Sequence, residues 1–132
     1  MSGVVAVAVT LGLATVFGLV HRWRSGRLRE QDVRREWDFE LGERATLVQF
    51  SSAFCAPCRA TKRVLAEVAA MVEGVRHVEI DAEARLELVR ELNILKTPTV
   101  LVLDASGRVV QRASGQPRKA DVIAALGRVQ GP

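Results

Sequence analysis

The 132-residue sequence contains no tyrosine, only two cysteines and two histidines, and no charged side chain among its first twenty residues. Each scarcity excludes something. With four Phe, two Trp and no Tyr, the core has to be built from Val, Leu and Ala. Two cysteines are too few for the disulfide framework of a small secreted domain, and they supply half the ligands of a closed zinc site. His21 and His77 stand far from Cys55 and Cys58, so zinc would require two chains to share a site. No metal site and no nucleic-acid partner is expected. The formal charge of +4 resides in Arg22, Arg24, Arg27 and Arg29, with no acidic residue in 1–29. Beyond them basic and acidic side chains cancel, so the excess describes one short cluster and not a domain surface. An apolar share of 48% and a charged share of 26% fit one globular domain.

The uncharged run, Met1 to Val20, is long enough for a helix of ~30 Å, the thickness of a bilayer's hydrocarbon core. A helix also satisfies its own backbone hydrogen bonds in lipid. A cleaved signal peptide would need a positive start and a small-residue exit, whereas "LVHRW" follows here. A buried core helix of this length would be featureless. The reading is therefore a transmembrane anchor over 1–21, a basic juxtamembrane linker over 22–31 and a soluble domain over 32–132. Four arginines on the C-terminal flank predict a single-pass protein of the cell membrane with its domain in the cytoplasm, and Trp23 suits the interface. An exported domain is the alternative topology. Ala6, Thr10, Ala14 and Gly18 form a small-residue stripe, as ordinary membrane helices also do; a monomer is expected.

The rest alternates. "GRLRE" allows a short strand. Val33, Trp37 and Leu41 recur four apart and predict a helix, with Asp32 capping it and Gly42 ending it. Ala45–Ser51 reads as a buried strand. A helix follows the cysteines, with Leu65, Val68, Ala69 and Val72 inward and Gly74 as its stop. Val75–Ile80 is a strand, and Asp81 is expected to cap a helix burying Leu86, Val89 and Leu92. Thr99–Leu103 and "RVVQR" form a hairpin across "DASG". Pro117 is expected in the first turn of a last helix, with Ala120, Ile123, Ala124 and Val129 inward. The order implies an α/β fold, a small mixed sheet with helices on both faces.

"FCAPC" falls where the first buried strand ends and a helix begins. Two thiols at this spacing serve either metal or dithiol chemistry. The unpaired N–H groups and partial positive charge of a helix start favour a thiolate. Cys55 lies at that entrance and reads as the attacking sulfur. Cys58 follows one turn later, within disulfide reach and less exposed, and reads as the resolving thiol. Pro57 fixes the first turn, and Arg59 and Lys62 add positive charge.

"TLVQFSSAFCAPCRATKRVLAEVA" and "ILKTPTVLVLDASGRVVQRASGQPRKADVIAAL" together resemble the thioredoxin superfamily over roughly residues 30–129. The resemblance implies a thioredoxin-like mixed sheet and a cis peptide at Thr97–Pro98 facing the dithiol. It also implies substrate docking by strand addition at Thr97. Pro98 would then keep metal from both thiols. Four positions depart from the pattern. Gln49 stands where well-known thioredoxins bury a carboxylate, Ser51 where a Trp is common in the preceding strand region, Phe54 where Trp precedes the first Cys, and Ala56 where Gly is usual. His77 reads as an ordinary strand residue, with a place near the site as the alternative.

The function expected is a membrane-tethered thiol–disulfide oxidoreductase. It would reduce protein disulfides by cycling Cys55–Cys58, with no cofactor beyond that disulfide and with an upstream reductant of unspecified kind. Pro57, Thr97, Pro98, Gln49 and Phe54 would support the site. A redox-sensing or partner-binding module with little turnover is the main alternative, and a metal carrier the lesser one.

Overall fold

The computed structural model describes residues 1–129; the last three residues of the 32–132 domain reading lie outside it. Nine elements follow in chain order: α1 (Ser2–Arg24), β1 (Leu28–Val33), β2 (Ala45–Ser51), α2 (Ala56–Met71), β3 (Val75–Asp81), α3 (Leu86–Glu91), β4 (Thr99–Asp104), β5 (Val109–Ser114) and α4 (Lys119–Arg128). The strands form one mixed sheet in the order β1-β5-β4-β2-β3. As expected of a strand–helix–strand unit, β2 and β3 pair in parallel, and β4–β5 form the antiparallel hairpin. β1 covers the far edge, antiparallel to β5.

β2 is buried at every position because it is central and both its faces are covered. On one face Leu47 and Val100 pack against Leu65 and Val68 of α2 and Val122 and Leu126 of α4. On the other, Val48, Phe50, Leu101 and Leu103 pack against Leu88 and Leu92. α1 stands apart. It is long and apolar enough to cross a membrane, and none of its side chains is buried by the domain.

Three local expectations are corrected. Residues 34–44 form no helix. Val33 at the end of β1 and the alternate side chains Trp37, Phe39 and Leu41 lie against the second core cluster, the period of two in which successive side chains point to opposite sides. The Trp37 indole donates to the Gly107 carbonyl (2.7 Å), and Gly42 donates its N–H to the Thr46 hydroxyl (2.8 Å) instead of ending a helix. Asp81 caps a turn, accepting from the Glu83 N–H (2.9 Å). α3 starts only at Leu86, which is exposed, while Leu88, Leu92 and Ile94 are buried. α4 begins two residues beyond Pro117, and its inner face is Val122, Ala125, Leu126 and Val129, with Ala120, Ile123 and Ala124 outside. That stripe follows helical spacing and buries more apolar surface than the one expected.

Candidate active site

Cys55 is the N-cap of α2, with extended backbone angles, and its sulfur accepts the Cys58 N–H at 3.2 Å. The cap that Ser or Asp ordinarily supplies is thus supplied by sulfur, and the orphan donor of the helix start faces the atom that would carry a negative charge. Pro57 sits in the first turn, where its missing N–H removes no helical bond. Cys55 and Cys58 are joined as a disulfide, their Cα atoms 5.2 Å apart. Cys55 is partly exposed and Cys58 is buried. Phe54 leads into the pair with φ 57° and a fully exposed ring.

Across from Cys55 lies the Thr97–Pro98 peptide, which is cis. The Thr97 hydroxyl reaches 3.9 Å from the Cys55 sulfur and shares a 2.7 Å hydrogen bond with Ser52. Pro98 is buried, and its carbonyl accepts the Gly115 N–H at 2.7 Å, tying the loop to the end of β5.

Beneath Cys58, Gln49 is completely buried on β2. Its amide nitrogen donates to the Cys58 carbonyl (2.8 Å) and to the Ser51 hydroxyl (2.9 Å). Both amide hydrogens are thereby used, so its oxygen is the acceptor, and His77 Nε2 at 3.1 Å is the donor. The Ser51 hydroxyl in turn donates a hydrogen bond to Glu79 (3.3 Å), and Glu79 pairs with Lys62 (3.4 Å). Burial lowers the His77 pKa from its ordinary value; the Glu79 carboxylate raises it and Lys62 lowers it further, by smaller amounts. The imidazole is therefore held neutral at neutral pH.

All seven residues singled out from the sequence meet here: Cys55, Cys58, Pro57 and Phe54 at the helix start, Thr97 and Pro98 opposite, and Gln49 below. Sequence reasoning missed Ser52 and Glu79, and it marked Ser51 only as a departure from the family pattern, not as a partner of Gln49. Period-two alternation places Gln49 and Ser51 on one face of β2, and His77 and Glu79 on one face of β3. Their meeting depends on the register that pairs Gln49 with Glu79, which composition does not reveal. Among the described residues no group of three or more His, Cys, Asp or Glu could hold a metal ion.

The geometry has counterparts. The family model described as Thioredoxin matches residues 30–128. Thioredoxin of Alicyclobacillus acidocaldarius is 33% identical over 89 residues, 67% of this chain and 84% of that protein. Thioredoxin domain-containing protein 2 of Homo sapiens is 30% identical over 86 residues, 65% of this chain. The match spans only 16% of that longer protein. Among solved structures, chloroplastic thioredoxin z aligns with a TM-score of 0.60 at 26% identity, covering 66% of this chain and 79% of that one.

Proposed function

Because the chain belongs to the thioredoxin family and carries its paired cysteines, we propose that it is a membrane-tethered reductase of protein disulfides. One observation carries this reading: the partly exposed Cys55 sulfur caps α2 opposite the cis Thr97–Pro98 loop, with Cys58 buried behind it. In the reduced protein the Cys55 thiolate attacks one sulfur of a substrate disulfide. The substrate S–S bond breaks, a mixed disulfide forms, and the departing thiolate takes a proton. Cys58, deprotonated, then attacks the Cys55 sulfur and releases the second substrate thiol. Two electrons have passed to the substrate, and the chain is left with the Cys55–Cys58 bond. A dithiol reductant regenerates it by the same exchange in reverse.

The substrate segment binds extended along Thr97, by strand addition. The exposed Phe54 offers it an apolar contact beside the reacting sulfur. Cys55 is the attacking thiol because exposure and thiolate stabilisation coincide there. The anchor is residues 1–21, and the arginines at 22, 24, 27 and 29 favour a domain on the cytoplasmic side. In a reducing compartment the net direction is reduction.

The test is turnover of a peptide disulfide by the detergent-solubilised full chain with a dithiol reductant. Cys55→Ser is expected to abolish it. With the protein pre-reduced and the reductant removed, Cys58→Ser is expected to stop after one step, with substrate trapped on Cys55. Normal oxidation of the two thiols without turnover would replace the reductase with a redox-sensing module. A reporter active only outside the cytoplasm, fused to the C-terminus, is expected to stay silent, and its activity would reverse the topology.

A further inference from the structure

α1 and β1 are separated by only Ser25, Gly26 and Arg27, and the first two are hydrogen-bonded to the active-site loop and to the end of β5 that carries it. Gly26 donates its N–H to the Ser114 carbonyl (2.7 Å), the next residue Gly115 donates to the Pro98 carbonyl (2.7 Å), and Lys96 donates to the Ser25 hydroxyl (3.0 Å). Gly26 has φ +79°, and a Cβ there would lie 2.1 Å from the Gln116 carbonyl oxygen; one on Gly115, at φ +105°, would lie 2.5 Å from the Ser25 hydroxyl. The close approach therefore requires both glycines. A cavity of about 860 Å³ opens at this junction, lined by Leu19, Arg22 and Trp23 of α1 and by Pro57, Thr97 and Pro98 of the dithiol site. One wall of the groove beside the dithiol is thus the end of the candidate membrane helix.

We infer that the substrates are disulfides in acidic extended segments of integral membrane proteins, within a few residues of the bilayer surface. The inference rests on the reductase reading above. A strand entering the groove along Thr97 runs beside Arg22 and Trp23, the depth at which interfacial aromatic and basic side chains sit. With Ser25 and Gly26 clamped and only Arg27 before β1, the domain has little freedom to turn its groove toward bulk water. Arg22, Arg27, Lys96 and Arg118 line the cavity against the carboxylate of Asp121, while Lys119 beside them pairs with Glu67 (3.1 Å), so an acidic segment is matched in charge. The chemistry is the exchange already described: the substrate disulfide becomes two thiols, the Cys55–Cys58 dithiol becomes a disulfide, and a dithiol reductant restores it.

The test uses the full chain in phosphatidylcholine vesicles with dithiothreitol as reductant, rates with Cys55→Ser being subtracted. The substrates are single-span peptides carrying one acidic disulfide loop near the bilayer boundary or many residues beyond it, with the same loop as a free peptide. Turnover of the near-boundary disulfide is expected to exceed that of the distant one by about ten-fold or more. A flexible insert of roughly ten residues between Arg24 and Ser25, reaching ~18 Å, is expected to level the two while free-peptide turnover persists. Equal turnover at both depths by the native chain overturns the inference and leaves the reductase reading standing. No turnover of any substrate, with thiols that oxidise normally, overturns both. A near-boundary preference abolished by phosphatidylglycerol at constant surface density assigns the groove to anionic lipid and also overturns the inference. A nitroxide on Lys119→Cys, in a chain with Cys55→Ser and Cys58→Ser, reads the geometry without activity. Its quenching by a membrane-confined relaxant is expected in the native connection, and equal exposure to an aqueous relaxant counts against it.

Discussion

Gln49 fastens Cys58 from below. It is fully buried and supplies hydrogen bonds to the Cys58 carbonyl, Ser51 and His77. Gln49→Leu keeps the volume and removes all three, leaving buried polar groups unpaired. The expected loss is about 1–3 kcal/mol of unfolding free energy, read by urea denaturation, with slower release of the mixed disulfide in single-turnover exchange. His77 sets a pH dependence. Its pKa is lowered in the folded chain, so on acidification the unfolded chain takes up the proton first. Stability is then lost as pH falls below about 6.5 toward the folded value, and is unaffected above it. His77→Gln keeps a donor for Gln49 and is expected to flatten that slope in denaturation curves measured from pH 7.5 to 5. At this scale the sequence was informative about chemistry and uninformative about pairing. A buried amide in place of a carboxylate is visible at Gln49, but its three partners come from β2, β3 and α2, whose register no local pattern states.

The segment between β1 and β2 shows how a periodicity can mislead. Val33, Trp37 and Leu41 lie four apart, a spacing that a helix and an extended chain both satisfy. Phe39, with Asp38 and Glu40 on either side, decides for alternation, and the segment lays Trp37, Phe39 and Leu41 against the second core cluster without forming a helix. Trp37 also holds the β4–β5 turn through the Gly107 carbonyl. Trp37→Ala is expected to cost about 2 kcal/mol, seen as a lower denaturant midpoint at unchanged slope, with dithiol exchange retained. The hairpin, the parallel β2–β3 unit and the helix after the cysteines were legible because turn residues and uninterrupted apolar runs bound them. The phase of α4 was not. Its apolar residues offer two stripes, and packing against α2 and the sheet takes the one containing Val122, Ala125 and Leu126.

Taken whole, the molecule is a folded domain carrying a helix it does not bury. Removing residues 1–24 takes away no core side chain. The shortened chain is expected to unfold at the same denaturant midpoint as the detergent-solubilised full chain, and to move from the membrane to the soluble fraction on cell fractionation. A shift of the midpoint would mean that α1 supports the domain. For the tethered reductase proposed above, the short exit through Ser25–Arg27 has a further consequence for rate. An enzyme that meets its partners only within the sheet of lipid is governed by molecules per unit area, not per unit volume. Diluting reconstituted vesicles with buffer should leave turnover of embedded substrate unchanged, whereas fusing them with empty lipid should slow it in inverse proportion to the total membrane area.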